Sequence, residues 1–122
     1  MAKILVIDDV AFARNAIALM LKSNGYDVFE AENGKEALDY IESVNPDAVL
    51  TDILMPEMEG LETIREIVLA KPNIPVIAMS GAAGSHYLDV AMKLGATTYL
   101  EKPFKRAHLL YKISSVLPGD PA

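Results

Sequence analysis

Ala48-Val49-Leu50-Thr51-Asp52-Ile53-Leu54-Met55-Pro56-Glu57-Met58-Glu59-Gly60 is the stretch from which the rest of the chain can be read. A short apolar run ends on a carboxylate, a proline closes the turn that follows, and a glycine opens a new apolar-periodic segment. That order places Asp52 at the mouth of a buried strand.

Working outward, Ile4 to Ile7 is another continuous β-branched run, the pattern of a strand buried on both faces of a parallel sheet, and Asp8-Asp9 ends it. Ala11 to Asn24 predicts a helix with Ala13, Ile17, Met20 and Leu21 inward and Asn24-Gly25 as its stop. Tyr26 to Glu30 predicts a second strand. Lys35 to Val44 predicts a helix on Ala37, Leu38 and Ile41, ended by Asn45-Pro46. Ala48 to Thr51 is the third strand, and Leu61, Ile64, Ile67 and Val68 recur at helical spacing beyond Gly60. Pro75 to Met79 is a fourth strand. The small-residue loop Ser80 to Gly84 leads into a fourth helix ending at Leu94-Gly95, the weakest by composition. Thr97 to Leu100 is a fifth strand, and Lys105 to Leu117 a last helix with Leu109, Ile113 and Val116 inward. Residues 1–117 are read as one domain and 118–122 as a tail or the start of a linker.

Five strands alternating with five helices imply an α/β three-layer sandwich, a parallel sheet built from crossovers with helices on both faces. Ligands of such sheets bind at the carboxyl ends of the strands. There the chain puts Asp8 and Asp9 after strand one, Asp52 after three, Ser80 after four and Lys102 after five.

Composition narrows the function classes. At 122 residues with 52% apolar content the chain has one core and no disorder signature. Seventeen acids against eleven bases give a net charge of -6, which argues against a nucleic-acid surface within this chain. Absence of cysteine removes disulfides, thiolate nucleophiles and Cys-based zinc sites. No run approaches membrane-spanning length, and the N-terminus meets Asp8-Asp9 before a signal-peptide core forms, so a cytoplasmic protein without membrane contact is expected.

Three converging carboxylates repel each other by about 4 kcal/mol per pair at contact distance for an effective dielectric near 20. Hard oxygen ligands without His or Cys select Mg²⁺, or Mn²⁺ in its place. Lys102 adds a fixed positive charge. A carboxylate beside two cations is suited to attack phosphorus, with the Ser80 hydroxyl available to a transferring oxygen, and the product is an aspartyl phosphate.

Asp8-Asp9, Asp52-Ile53-Leu54-Met55-Pro56 with Gly60, Ser80-Gly81, Leu94-Gly95-Ala96 and Tyr99-Leu100-Glu101-Lys102-Pro103-Phe104, in this order, resemble a response-regulator receiver domain over essentially the whole chain. The resemblance implies a flavodoxin-like (βα)5 fold of strand order 2-1-3-4-5, an order borrowed from chemotaxis receivers rather than read from these residues. It implies that Asp52 accepts a phosphoryl group from a histidine kinase or histidine phosphotransfer protein, in a signalling switch rather than an enzyme. It further implies that Asp9, Asp52 and the Leu54 backbone oxygen ligate Mg²⁺ directly, with Asp8 acting through water. Ser80, the Gly81 amide and Lys102 would hold phosphoryl oxygens, and Tyr99 would turn inward as Ser80 is drawn to the phosphoryl group. Ser80 stands where threonine is common in the family, keeping the hydroxyl and losing a methyl. The resemblance also implies that Leu54 and Ala82 occupy positions that, in the family, tune dephosphorylation. Both are apolar and cannot position a water, so slow self-dephosphorylation is expected.

Singly, each residue has an ordinary explanation. Asp8-Asp9 is a plausible strand end and helix N-cap, Asp52 and Ser80 are ordinary loop residues, Lys102-Pro103 is a surface charge beside an X-Pro bond of the type that can be cis, and Tyr99 is strand packing. Only their joint placement at strand ends outweighs this. An aspartate-nucleophile phosphatase of the haloacid-dehalogenase type is the enzyme rival, but it wants an acid where Leu54 stands. A flavin-binding module would want a hydroxyl-rich phosphate loop where the chain has two acids. An inactive scaffold receiver usually lacks at least one of the five polar residues, and all are present.

Two apolar faces are expected to dock partners. Phe12 and Leu19 lie off the core stripe of the first helix, where the family's phosphodonor binds. Leu88, Tyr99, Leu110 and Tyr111, on the fourth helix, fifth strand and fifth helix, would form an output face for a downstream protein or for self-association. His86 and His108 are expected to be exposed, without a metal partner.

Overall fold

The computed structural model describes residues 1–53, 59–81 and 85–118, excluding the side chains of Glu59 and Ser85. Residues 54–58 with Leu54, Met55 and Pro56, residues 82–84 with Ala82, and residues 119–122 lie outside the described residues.

Strands β1 (Lys3–Ile7), β2 (Asp27–Ala31), β3 (Ala48–Asp52), β4 (Val76–Ser80) and β5 (Thr98–Glu101) alternate with helices α1 (Ala11–Lys22), α2 (Gly34–Ser43), α3 (Glu59–Ala70), α4 (Ser85–Lys93) and α5 (Arg106–Val116). All neighbouring strands pair in parallel, in the order β2-β1-β3-β4-β5. This is the expected flavodoxin-like order. The sequence reverses direction between β1 and β3, so the crevice at their carboxyl ends is the topological switch point.

Burial follows the pairing. β3 and β4 are buried throughout and β1 at every residue but Lys3, whereas the edge strands β2 and β5 are only partly covered. Because strand side chains alternate, β1 feeds two cores. Ile4 and Val6 join Leu50, Ile77 and Met79 beneath α1 and α5, packed on Ile17, Leu21, Leu109 and Ile113. Leu5 and Ile7 join Val49, Val76 and Ala78 on the opposite face, beneath α2, α3 and α4. The three layers are thus helix pair, sheet and helix trio.

Element ends differ from the expected ones by one or two residues, for local reasons. Gly25 has φ 90°, and the Tyr26 amide donates back to the Leu21 carbonyl at 3.2 Å. Tyr26 is therefore spent on closing α1, and β2 begins one residue later. Gly95, at φ 114°, ends α4 the same way, with the Ala96 amide on the Ala91 carbonyl at 3.1 Å. Asn33 caps α2 by accepting from the Glu36 amide at 2.9 Å, while Glu36 accepts from the Glu32 amide at 2.9 Å.

Leu88 requires a correction. It is 3% exposed and packs in the α2, α3 and α4 core, so it belongs to no output face. α4 carries apolar residues on several sides, and contact with the sheet selects Leu88 and Ala91, three apart on one face. Leu110 is half-buried against the other core, whereas Tyr99 at 42% and Tyr111 remain exposed.

Candidate functional site

Parallel pairing brings four strand ends to one crevice. β1 delivers Asp8 and Asp9, β3 delivers Asp52, β4 ends on Ser80, and Lys102 follows β5. Backbone bonds continue the sheet past its ends and fix their relative height: the Ile53 amide donates to the Met79 carbonyl at 3.0 Å and the Lys102 amide to the Ser80 carbonyl at 2.7 Å.

Asp8, Asp9 and Asp52 each place a carboxylate oxygen within 4.8 Å of the others. Asp8 is fully buried and Asp52 nearly so, while Asp9 is exposed. Lys102 Nζ donates to Asp8 Oδ2 and to Asp52 Oδ2, at 3.2 Å each. Burial works against the Lys102 ammonium, but the carboxylates of Asp52 and then Asp8 outweigh it and hold its pKa above the ordinary lysine value. The lysine is therefore cationic at neutral pH.

Ser80 is buried, its hydroxyl donating to the Gly81 carbonyl at 3.1 Å. The donor set suits a divalent cation: oxygen only, three converging carboxylates, and one of them open to solvent. Asp8 is not the N-cap of α1. That position is Val10, whose amide donates to Asp8 Oδ1 at 2.9 Å. The Lys102-Pro103 bond is cis.

Beside Lys102 opens an apolar hollow of about 540 Å³ lined by Ala13, Ala16, Ile17, Pro103 and Phe104. A hollow of about 600 Å³ lies at the opposite end of the sheet, between the α2–β3 and α3–β4 connections and the end of α5, far from these acids. Phe12 and Leu19, at 86% and 69% exposure, project from α1 as expected, and His86 and His108 are exposed.

Three contacts went unread in the sequence. Arg14 Nη1 donates to the Asp8 carbonyl at 2.8 Å, and its Nε donates to Glu30 Oε1 at 3.1 Å. Nothing one-dimensional links these residues, because Glu30 nears Asp8 only through the β1–β2 pairing. A Cβ on Gly60 would collide with the Asp52 carbonyl oxygen and lie 2.5 Å from Ile53 Cα, so this glycine lets α3 start against the site backbone. Lys112 Nζ donates to Thr98 Oγ1 at 3.0 Å and lies 5.5 Å from the centre of the Tyr99 ring.

Similarity to known proteins extends over nearly the whole chain. The family described as response regulator receiver domain matches residues 4–114. The chemotaxis protein CheY of Thermotoga maritima is 35% identical over 115 residues, covering 93% of this chain and 96% of that protein. Response regulator MprA of Mycolicibacterium vanbaalenii is 36% identical over 115 residues, covering 94% of this chain; the chain spans 50% of MprA's length. A response regulator receiver domain from Clostridium thermocellum superposes with a TM-score of 0.88 at 36% identity, over 95% of this chain and 94% of that one.

Proposed function

The chain belongs to the response regulator receiver domain family of two-component signalling, and from that premise we propose that Asp52 is its phosphoacceptor. One observation carries the proposal: a cationic lysine bridges Asp52 and Asp8 within a three-carboxylate cluster at the switch point of the sheet.

In this reading a carboxylate oxygen of Asp52 attacks the phosphorus of a phosphohistidine donor. The P–N bond breaks, and its electron pair leaves with the imidazole. Lys102 balances the charge on the transferring oxygens, and the Ser80 hydroxyl and Gly81 amide take the others, the hydroxyl giving up its present bond to the Gly81 carbonyl. Asp9, Asp52 and the Leu54 carbonyl would hold Mg²⁺ or Mn²⁺ directly, and Asp8 through water. The bound cation supplies further charge neutralisation at the phosphoryl oxygens.

Ser80 drawn to the phosphoryl group makes room for Tyr99, whose exposed ring is the switch element. Donor docking falls to Phe12 and Leu19 on α1. Output falls to a face with Tyr99 and Tyr111, meeting a downstream protein or a second copy. Apolar Leu54 and Ala82 make the aspartyl phosphate outlast seconds. The reading belongs to the cytoplasm, where a kinase can reach the site. Incubation with Mg²⁺ and labelled acetyl phosphate tests it: wild-type protein takes up label that chelation prevents, and label retained by Asp52→Asn refutes it.

A further inference from the structure

Asp8 is anchored at every polar atom. Its amide donates to the Ala31 carbonyl at 3.1 Å, its Oδ1 accepts from Val10, its Oδ2 accepts from Lys102, and its carbonyl accepts from Arg14. The last bond comes from outside the acidic cluster. Arg14 is largely buried, with its side chain 15% exposed, and the same guanidinium is seated on Glu30 of the edge strand β2. One planar group thus clamps the end of β1 to α1 and β2, a task suited to a rigid fork of donors. Asp9, the next residue in the chain, is exposed.

We propose that Arg14, braced by Glu30, is a positioning residue for divalent-cation binding. It holds the Asp8 backbone so that two mutually repelling carboxylates stay aimed at one point. The inference rests on reading Asp8, Asp9 and Asp52 as the cation site.

The sign of the effect separates positioning from charge. Arg14 is itself a cation near a cation site, so by charge alone its removal tightens metal binding. By positioning, its removal weakens binding, in the roughly 10- to 100-fold range seen when the outer partners of metal ligands are lost.

The test measures Mn²⁺ binding directly by electron paramagnetic resonance, with Mg²⁺ as competitor, and urea unfolding alongside. The proteins are wild type, Arg14→Met, Arg14→Lys and Glu30→Gln. Arg14→Met should bind Mn²⁺ at least about tenfold more weakly while folded. Arg14→Lys should recover only part of the loss, since one ammonium does not reproduce the two-armed fork. Glu30→Gln should weaken binding in the same direction by less. Unchanged or tighter Mn²⁺ binding by folded Arg14→Met overturns the proposal, as does a lowered urea midpoint with unmoved affinity. If Arg14→Met does not fold, Glu30→Gln decides, and unchanged affinity there overturns it. A wild-type protein that binds no Mn²⁺ overturns both this inference and the reading of the acidic site, whereas wild-type binding with unmoved variants overturns this inference alone.

Discussion

Lys102 Nζ lies 3.2 Å from Asp52 Oδ2 although fifty residues separate the two in the chain. The pair exists because β3 and β5 flank β4 and all three strands end at one level. Replacing the lysine by methionine keeps most of the stem and removes the charge. Lys102→Met should lower the rate of phosphorylation by acetyl phosphate by about 10²-fold, the usual loss when one stabilising donor is deleted. It should also destabilise the fold by about 1–3 kcal/mol, because Asp8 is left buried without its cation. Adding Asp8→Asn should recover stability and not the rate, which a double-mutant cycle in urea measures.

The alkaline limit of stability should carry the same signature. An unfolded lysine titrates near 10.5, and the folded Lys102 titrates above that. The group therefore contributes its stability in full below the unfolded value and loses it as pH rises through the folded one. The stability difference between wild type and Lys102→Met should be constant from about pH 7 to 9 and shrink only above about 10.5. A difference already shrinking below pH 9 contradicts this.

Metal should stabilise the protein through the acidic cluster. Adding Mg²⁺ should raise the melting temperature of wild-type protein in proportion to the logarithm of its concentration once the site is saturated. Asp9→Asn removes one of three repelling charges, so its metal-free form should melt higher than wild type and gain less from Mg²⁺. An Mg²⁺ increment equal in both proteins would place the ion elsewhere.

Gly60→Ala should be costly, although alanine is the better helix former by about 1 kcal/mol. The added methyl meets backbone atoms of Asp52 and Ile53, which cannot rotate away as a side chain would. A net loss of about 2 kcal/mol in urea unfolding is expected, together with slower phosphorylation as Asp52 shifts. A neutral substitution would mean that α3 does not start where the structure places it.

The apolar outer side of α1 should matter to a protein donor alone. Phe12→Gln with Leu19→Gln should slow transfer from a phosphohistidine protein at least about tenfold and leave the acetyl phosphate reaction unchanged. Stability should move by no more than about 0.5 kcal/mol, because both side chains are exposed. Equal losses with both donors would remove the docking role.

What the sequence determined by itself was local in origin. Continuous apolar runs located β1, β3 and β4, since a strand buried on both faces is apolar at successive positions and these runs are too short for a helix. Gly25 and Gly95 announced two helix ends through the left-handed backbone they adopt. The polar residues Asp8, Asp9, Asp52, Ser80 and Lys102 stood at strand ends because each lies where an apolar run gives way to polar residues. Tertiary structure decided what periodicity does not encode. A 3.6-residue repeat marks an inward stripe only where the other sides are polar, and on α4 they are not, so the burial of Leu88 waited on the sheet. Strand order was borrowed from a family, and only the order β2-β1-β3-β4-β5 puts Glu30 beside Arg14 and Lys102 between Asp8 and Asp52. Gly60 read as the opening of a helix, yet its reason lies in the backbone of Asp52 and Ile53, atoms brought to it by packing and invisible to spacing.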